Sequence, residues 1–156
     1  LDKRGIKLTS NQMHYSLLYR KHEYNGLLNL CKELDVTFLS YMTLAQGLLT
    51  GKYTPSNRPK GIIRKIYYSK KKLKKIQFLI SKMDDISKKY DKTITQLAIK
   101  WTMSKGTVPI VGARKIEHIT PLIGLEEWSL EQEDIDILDE ITNKEYQDFI
   151  GTIWKS

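Results

Sequence analysis

A chain of 156 residues is long enough for one hydrophobic core and little more. With 40% hydrophobic and 28% charged residues its composition argues against intrinsic disorder, and no apolar run approaches the length of a bilayer-spanning helix. The formal net charge of +8 is uneven: positions 36–83 hold 11 basic residues and no acidic one, whereas positions 116–148 hold 11 acids and one lysine.

The first residues, Leu1-Asp2-Lys3-Arg4, carry no apolar signal region and no initiator methionine, as expected of a fragment or a processed piece. Ile6 to Gln12 reads as a short strand, and Glu23 to Leu34 as a helix with Leu27, Leu28, Leu30, Cys31 and Leu34 on one broad face. Val36 to Met42 is β-branched, aromatic and apolar, which predicts a buried strand. Residues 43–69 form a long loop rich in glycine, proline and lysine, with one short helix at Ala45 to Leu49. Loops of this length are usually functional or mobile.

Lys70 to Tyr90 predicts a strong amphipathic helix. Leu73, Ile76, Leu79, Ile80, Met83, Ile86 and Tyr90 recur at helical spacing, with lysines on the other faces. Thr93 to Gln96 reads as a capping box opening a second helix, buried through Ile94, Leu97, Ala98 and Trp101 and ended by Gly106. Thr107 to Val111 predicts a third buried strand. Gly112 to Lys115 is then a turn opening onto a helix at about Ile116 to Ile123. Ser129 to Gln132 reads as a second capping box, starting an acidic helix buried through Ile135, Leu138 and Ile141. Positions 143–156 form a tail that packs on something. Strands alternating with helices imply βαβ units and a parallel sheet, but three strands are too few to close one.

Cys31 is the one cysteine, which excludes an internal disulfide and fits a reducing, cytoplasmic compartment. His14, His22 and His118 lack metal-ligand spacing, so no metal is expected. The lysine-rich stretch can be a solvated helix face, or it can bind nucleic acid, an anionic membrane or a phosphorylated small molecule. The acidic C-terminal segment argues against nucleic acid.

Four motifs carry a family resemblance. Asn11-Gln12 with Tyr15-Ser16-Leu17-Leu18 and Arg20, Tyr41 to Tyr53 (YMTLAQGLLTGKY), Gln96 to Trp101, and Pro109 to Lys115 (PIVGARK) resemble segments of aldo-keto reductases, in the family's order and separations. The resemblance covers about residues 5–141. It implies the C-terminal half of a (β/α)8 TIM barrel, a single partial oxidoreductase domain over 1–156, with Gln12, Tyr41 and Gly112 at the carboxyl ends of its strands, the face where such barrels build active sites.

That resemblance also implies an NADP(H) site. Gln12 would hydrogen-bond the nicotinamide carboxamide, and Tyr41 would stack on its ring. Leu44, Gln46 and Gly47 would line the pyrophosphate, with Lys52 and Arg58 as a clamp. Gly112, Ala113, Arg114 and Lys115 would hold the 2′-phosphate at the N-terminus of the following helix, and His118 would lie one turn beyond. The family's catalytic tyrosine, aspartate, lysine and histidine come from the N-terminal half, so no catalytic residue is expected here. Met42 and Thr43 stand where the family has Ser-Pro, and Pro121 and Leu122 replace a polar pair that contacts adenine. The expected function is the C-terminal part of an NADPH-dependent reductase of small aldehydes or ketones, completed by a missing N-terminal half-barrel or by self-association. The alternatives are a non-catalytic NADP(H)-binding relic, akin to channel-associated members of the superfamily, and an unrelated anion-binding module.

Overall fold

A computed structural model describes residues 4–62, 65 and 68–143. The predicted tail beyond Asn143 lies outside them. Among the described residues, three strands form an open parallel sheet in the order β1 (Ser10–His14), β2 (Thr37–Tyr41) and β3 (Val108–Pro109). Ser10 pairs with Thr37 and His14 with Tyr41 across β1 and β2, while Leu39 and Ser40 pair with Val108 and Pro109.

The first strand is displaced from its predicted position. Pairing with β2 starts where the Thr9 carbonyl accepts the Thr37 N–H at 2.9 Å, and Ile6 and Leu8 before it are exposed. The predicted first helix is two: α1 (Lys21–Tyr24) and α2 (Leu27–Glu33). Gly26 sits between them at φ 79°, and Asn25 Oδ1 accepts the Leu27 N–H at 3.1 Å, a local turn that interrupts the helix. Leu28 and Cys31 are buried, but Leu30 and Leu34 of the predicted face are exposed. β3 is shorter than predicted because Pro109 donates no ladder hydrogen bond; pairing continues past it through Ile110 N–H to the Ser40 carbonyl, 2.8 Å.

The long amphipathic helix forms as read. α3 (Lys70–Lys89) is capped by the Ser69 side chain and buries Leu73, Ile76, Leu79, Ile80, Met83 and Ile86. α4 (Ile94–Ser104) carries the predicted capping box with both bonds made: Thr93 Oγ1 accepts the Gln96 N–H, and Gln96 Oε1 accepts the Thr93 N–H. The second predicted box is absent. α5 (Gln132–Ile141) has Glu131, not Ser129, at its N-cap, without a side-chain cap. The Tyr90 hydroxyl supplies the missing partner, accepting the Glu131 N–H at 3.0 Å and donating to Asp134 at 2.6 Å.

A mixed aromatic and charged cluster ties the start of this fold to its end. The Arg20 guanidinium donates twice to the Glu23 carboxylate, at 2.9 and 2.7 Å, and to the Asp139 carbonyl and the Thr142 hydroxyl. Tyr15 donates to Glu23 at 2.5 Å; Trp101 Nε1 donates to Asp139 at 2.8 Å, and Lys105 pairs with the same carboxylate. Burial pushes the Glu23 carboxyl up, but the hydrogen bonds from Arg20 and Tyr15 outweigh it and hold the group below its ordinary range.

Burial divides the sheet. Phe38 and Ser40 are buried under the helices, whereas Gln12, Thr37, Tyr41, Val108 and Ile110 lie on an open face. His14 shares that face by register, yet only 9% of it is exposed, because it stacks on Tyr19 (4.1 Å between ring centres) and Tyr41 (5.4 Å). Burial, helped by the nearby charge of His22, lowers its pKa from 6.5 to about 4. An unfolded His14 therefore takes up its proton first as pH falls. Its contribution to stability is full above about pH 6.5 and is lost towards pH 4, with a slope of at most about 1.4 kcal/mol per pH unit. Urea midpoints at pH 7.5 and 5 are expected to show that loss. His14→Phe, which keeps a stacking ring, is expected to reduce the slope; an unchanged slope would remove His14 as a cause.

Candidate functional site

The loop after β2 leaves the sheet through an unusual backbone. Met42, Ala45 and Gln46 have φ of 60°, 48° and 57°, and Gly47 follows at 93°. Three left-handed non-glycine residues within five positions are costly, roughly 1 kcal/mol or more each, and persist only where neighbours hold them. Those neighbours are visible. Thr43 Oγ1 donates to the Ser40 carbonyl, the Tyr68 hydroxyl to the Gln46 carbonyl at 2.8 Å, and Thr50 Oγ1 to the Gly47 carbonyl at 2.8 Å. Ala45, Leu48 and Leu49 are buried beneath. The predicted short helix is a 3-10 turn, Ala45–Thr50. Gly47 is favoured by its left-handed φ, and a Cβ there would stand 3.3 Å from the Tyr53 ring, which would have to shift slightly.

The second wall comes from the chain after β3. Gly112 to Thr120 is exposed throughout, and a Cβ at Gly112 would meet nothing within 4 Å. The helix predicted at Ile116 to Ile123 does not form. Two 3-10 turns stand there instead, Ile116–His118 and Thr120–Leu122. Pro121 heads the second turn and cannot donate the backbone bond that a continuous helix needs. The helix N-terminus expected to face an anion beside Arg114 is therefore missing, and attraction for an anion has to come from side chains.

Between these walls lies a cleft of about 790 Å³ at the carboxyl ends of β2 and β3. Of the residues singled out in the sequence, Leu44, Gln46, Gly47, Lys52, Gly112, Ala113, Arg114 and His118 line it. Met42, Thr43, Pro121 and Leu122 also line it, so all four departures from the family pattern stand on its wall. The Arg114 backbone N–H points to His118 Nδ1 at 3.3 Å, holding the two cleft residues together.

Four predicted site residues are outside the cleft. Gln12 and Tyr41 lie on the open sheet face, but Gln12 is the middle residue of β1, level with Leu39, and not at the carboxyl end that the resemblance implies; Tyr41 ends β2, is 38% exposed and immediately precedes the first lining residue, Met42. Lys115 pairs with Glu117 at 3.1 Å. Arg58 is turned into its own loop, its Nε donating to the Tyr68 carbonyl at 2.9 Å and its Nη2 to the Lys65 carbonyl, so it braces the loop instead of clamping a ligand. Sequence reading missed Thr95, Tyr53 and Glu117 on the wall. Thr95 and Tyr53 belong to recognised motifs but carried no polar pattern of their own. Glu117 places a carboxylate beside the cations, and its pairing with Lys115 offsets that charge.

The cleft thus joins a strained, glycine-dependent loop to a basic, glycine-opened segment. The second is exposed throughout, whereas among residues 42–50 of the first only Gln46 is exposed; a cleft with one open wall accommodates an extended anionic ligand. Among the described residues, no group of three or more histidine, cysteine, aspartate or glutamate side chains could hold a metal ion, and no helix is long and apolar enough to cross a membrane.

The model of the aldo/keto reductase family matches residues 1–143. The chloroplastic pyridoxal reductase of Arabidopsis thaliana is 36% identical over 138 residues, which cover 86% of this chain and 36% of that protein. A putative aryl-alcohol dehydrogenase of Schizosaccharomyces pombe is 29% identical over 140 residues, 86% of this chain and 38% of the other. The solved glycerol dehydrogenase of Gluconobacter oxydans superposes with a TM-score of 0.80 at 24% identity, over 89% of this chain and 43% of its own. The open sheet and its helices correspond to part of that family's (β/α)8 barrel. The chain spans well under half the length of each of these relatives.

Proposed function

The chain belongs to the aldo/keto reductase family, and from that premise we propose that it is the cofactor-binding part of an NADPH-dependent reductase of small aldehydes or ketones. The observation that carries this reading is the cleft itself, where the loop carrying Gly47 and the segment carrying Arg114 converge at the carboxyl ends of β2 and β3. Its residues suit a dinucleotide phosphate. Gly47, Lys52, Arg114 and His118 on its wall can contribute backbone, polar and cationic contacts, and Tyr41 stands beside it at the end of β2.

In this reading Gln12 orients the carboxamide and Tyr41 supports one ring face. Leu44, Gln46, Gly47 and Lys52 hold the pyrophosphate, and Gly112, Ala113, Arg114 and Lys115 hold the 2′-phosphate. His118 fixes the Arg114 backbone, and Arg58 keeps the loop in shape. When bound, NADPH supplies a hydride to a carbonyl carbon. The proton for the carbonyl oxygen belongs to the family's N-terminal half, so the reading gives this chain no catalytic residue. A whole reductase then requires that half, in the same polypeptide or supplied by another. Leu122 cannot hydrogen-bond a purine, which leaves affinity to the phosphates.

Selectivity tests the assignment. Arg114→Ala is expected to weaken NADPH about tenfold by calorimetry while changing NADH less than about twofold, because one charge-assisted contact is lost with the 2′-phosphate alone. Equal losses for both dinucleotides would overturn it. Intact mass of the native polypeptide bears on the second half: a product about twice this length supports a reductase in one chain, and an 18.2 kDa product argues for a binding subunit.

A further inference from the structure

The outer face of α3 carries a feature the cleft does not use. Lys71, Lys74, Lys75, Phe78 and Lys82 are all exposed and follow one another at spacings of three, one, three and four, so they fall on one side of the helix. Phe78 is 58% exposed at the centre of the four lysines. The stripe runs about 16 Å along the helix axis. Asp85 closes it, and the next acid, Asp84, is engaged by Lys88 at 2.6 Å. The opposite side of α3 is buried against α4 and α5. The stripe therefore lies on the side of α3 away from α4 and α5.

A solvated lysine face does not need a phenyl ring in its middle. A large apolar group ringed by cations matches an interface that is negatively charged at its surface and apolar just beneath. We infer that this stripe docks the protein on anionic phospholipid bilayers, the lysines meeting headgroups and Phe78 entering the interfacial layer. Nucleic acid is the weaker match. α5 packs beside α3 and exposes Glu131, Glu133, Asp136 and Glu140, which confine the cationic surface to one helix width. A plane touching α3 alone meets that limit more easily than a wrapped polyanion does. The inference stands independently of the cofactor reading.

Flotation of the whole protein with vesicles tests it. Binding is expected to vesicles of 70% phosphatidylcholine and 30% phosphatidylserine at low salt, with little to pure phosphatidylcholine and a marked loss at 0.5 M salt. Replacing Lys71, Lys74, Lys75 and Lys82 together by glutamine is expected to lower partitioning more than about a hundredfold, each lysine contributing about fivefold. Phe78→Ala, with every charge in place, is expected to lower it about fivefold to tenfold. All five positions are exposed, and far-UV circular dichroism checks that the variants fold. Failure to float with the anionic vesicles, floating unaffected by the lysine replacements, or an effect of salt with none of Phe78→Ala would each overturn the proposal. So would tight binding to single-stranded RNA without any to vesicles.

Discussion

Arg20→Met is expected to destabilise the fold by about 3 kcal/mol, measured by urea unfolding at neutral pH. The guanidinium is almost fully buried and joins two carboxylate-bearing segments at once, Glu23 at 2.7 Å and the Asp139 end of α5. Methionine has the length to fill the space. It leaves Glu23 half-withdrawn from water with the Tyr15 hydroxyl as its partner, and removing one member of a buried pair typically costs 3–5 kcal/mol. Lys105 still faces Asp139, which places the expectation at the low end. Arg20→Lys keeps the charge but loses the planar fork and is expected to recover less than half. The loss should narrow in acid. Glu23 is held below its ordinary pKa, so its contribution exists above the unfolded value and disappears as pH falls through the folded one. A cost below about 1 kcal/mol at neutral pH would mean that desolvation cancels the ion pair and that packing alone holds the two ends of the fold.

Trp101→Ala should cost about 4 kcal/mol, the upper range for removal of a large buried ring. Trp101 is fully buried; Tyr15 stacks on it at 5.5 Å, Arg20 lies 5.4 Å and Lys105 5.3 Å over its face, and its indole N–H satisfies Asp139. Trp101→Phe, retaining the ring face without the N–H, is expected to cost about half as much. Because Trp101 and Arg20 share Asp139 and touch one another, their effects are coupled. The double variant is expected to fall short of the sum of the singles by about 1 kcal/mol or more. Strict additivity would show the cluster to be a set of separate contacts with no shared state.

The long helix was legible because its apolar positions leave one solution. Leu73 through Ile86 can be buried together only on one side of a helix, and α3 does so. Thr93 and Gln96 were legible because a capping box is closed locally. The failures share the opposite property. Ser129 offers a cap, but the Tyr90 hydroxyl, about forty positions away, takes the Glu131 N–H and starts the helix later. Leu30 and Leu34 follow a helical period that nothing among the described residues covers. At the site, the glycine and cation pattern located both walls. Arg58 could not be placed from sequence, since its partners are backbone carbonyls of its own loop. The missing helix after Lys115 hinged on Pro121, whose effect reached back through the whole segment.

The Arg20 cluster sets a schedule for synthesis. Arg20 and the Asp139 carbonyl it binds are 119 residues apart. At ordinary elongation rates of 5–20 residues per second, roughly 6–24 s pass between the two leaving the peptidyl-transfer centre. Throughout that interval Glu23 and the Tyr15 ring have only part of their final surroundings, and Trp101 emerges ahead of its carboxylate. The nascent chain therefore carries an unfinished, charge-bearing seam until α5 has been made, and translation speed sets the earliest moment of its closure.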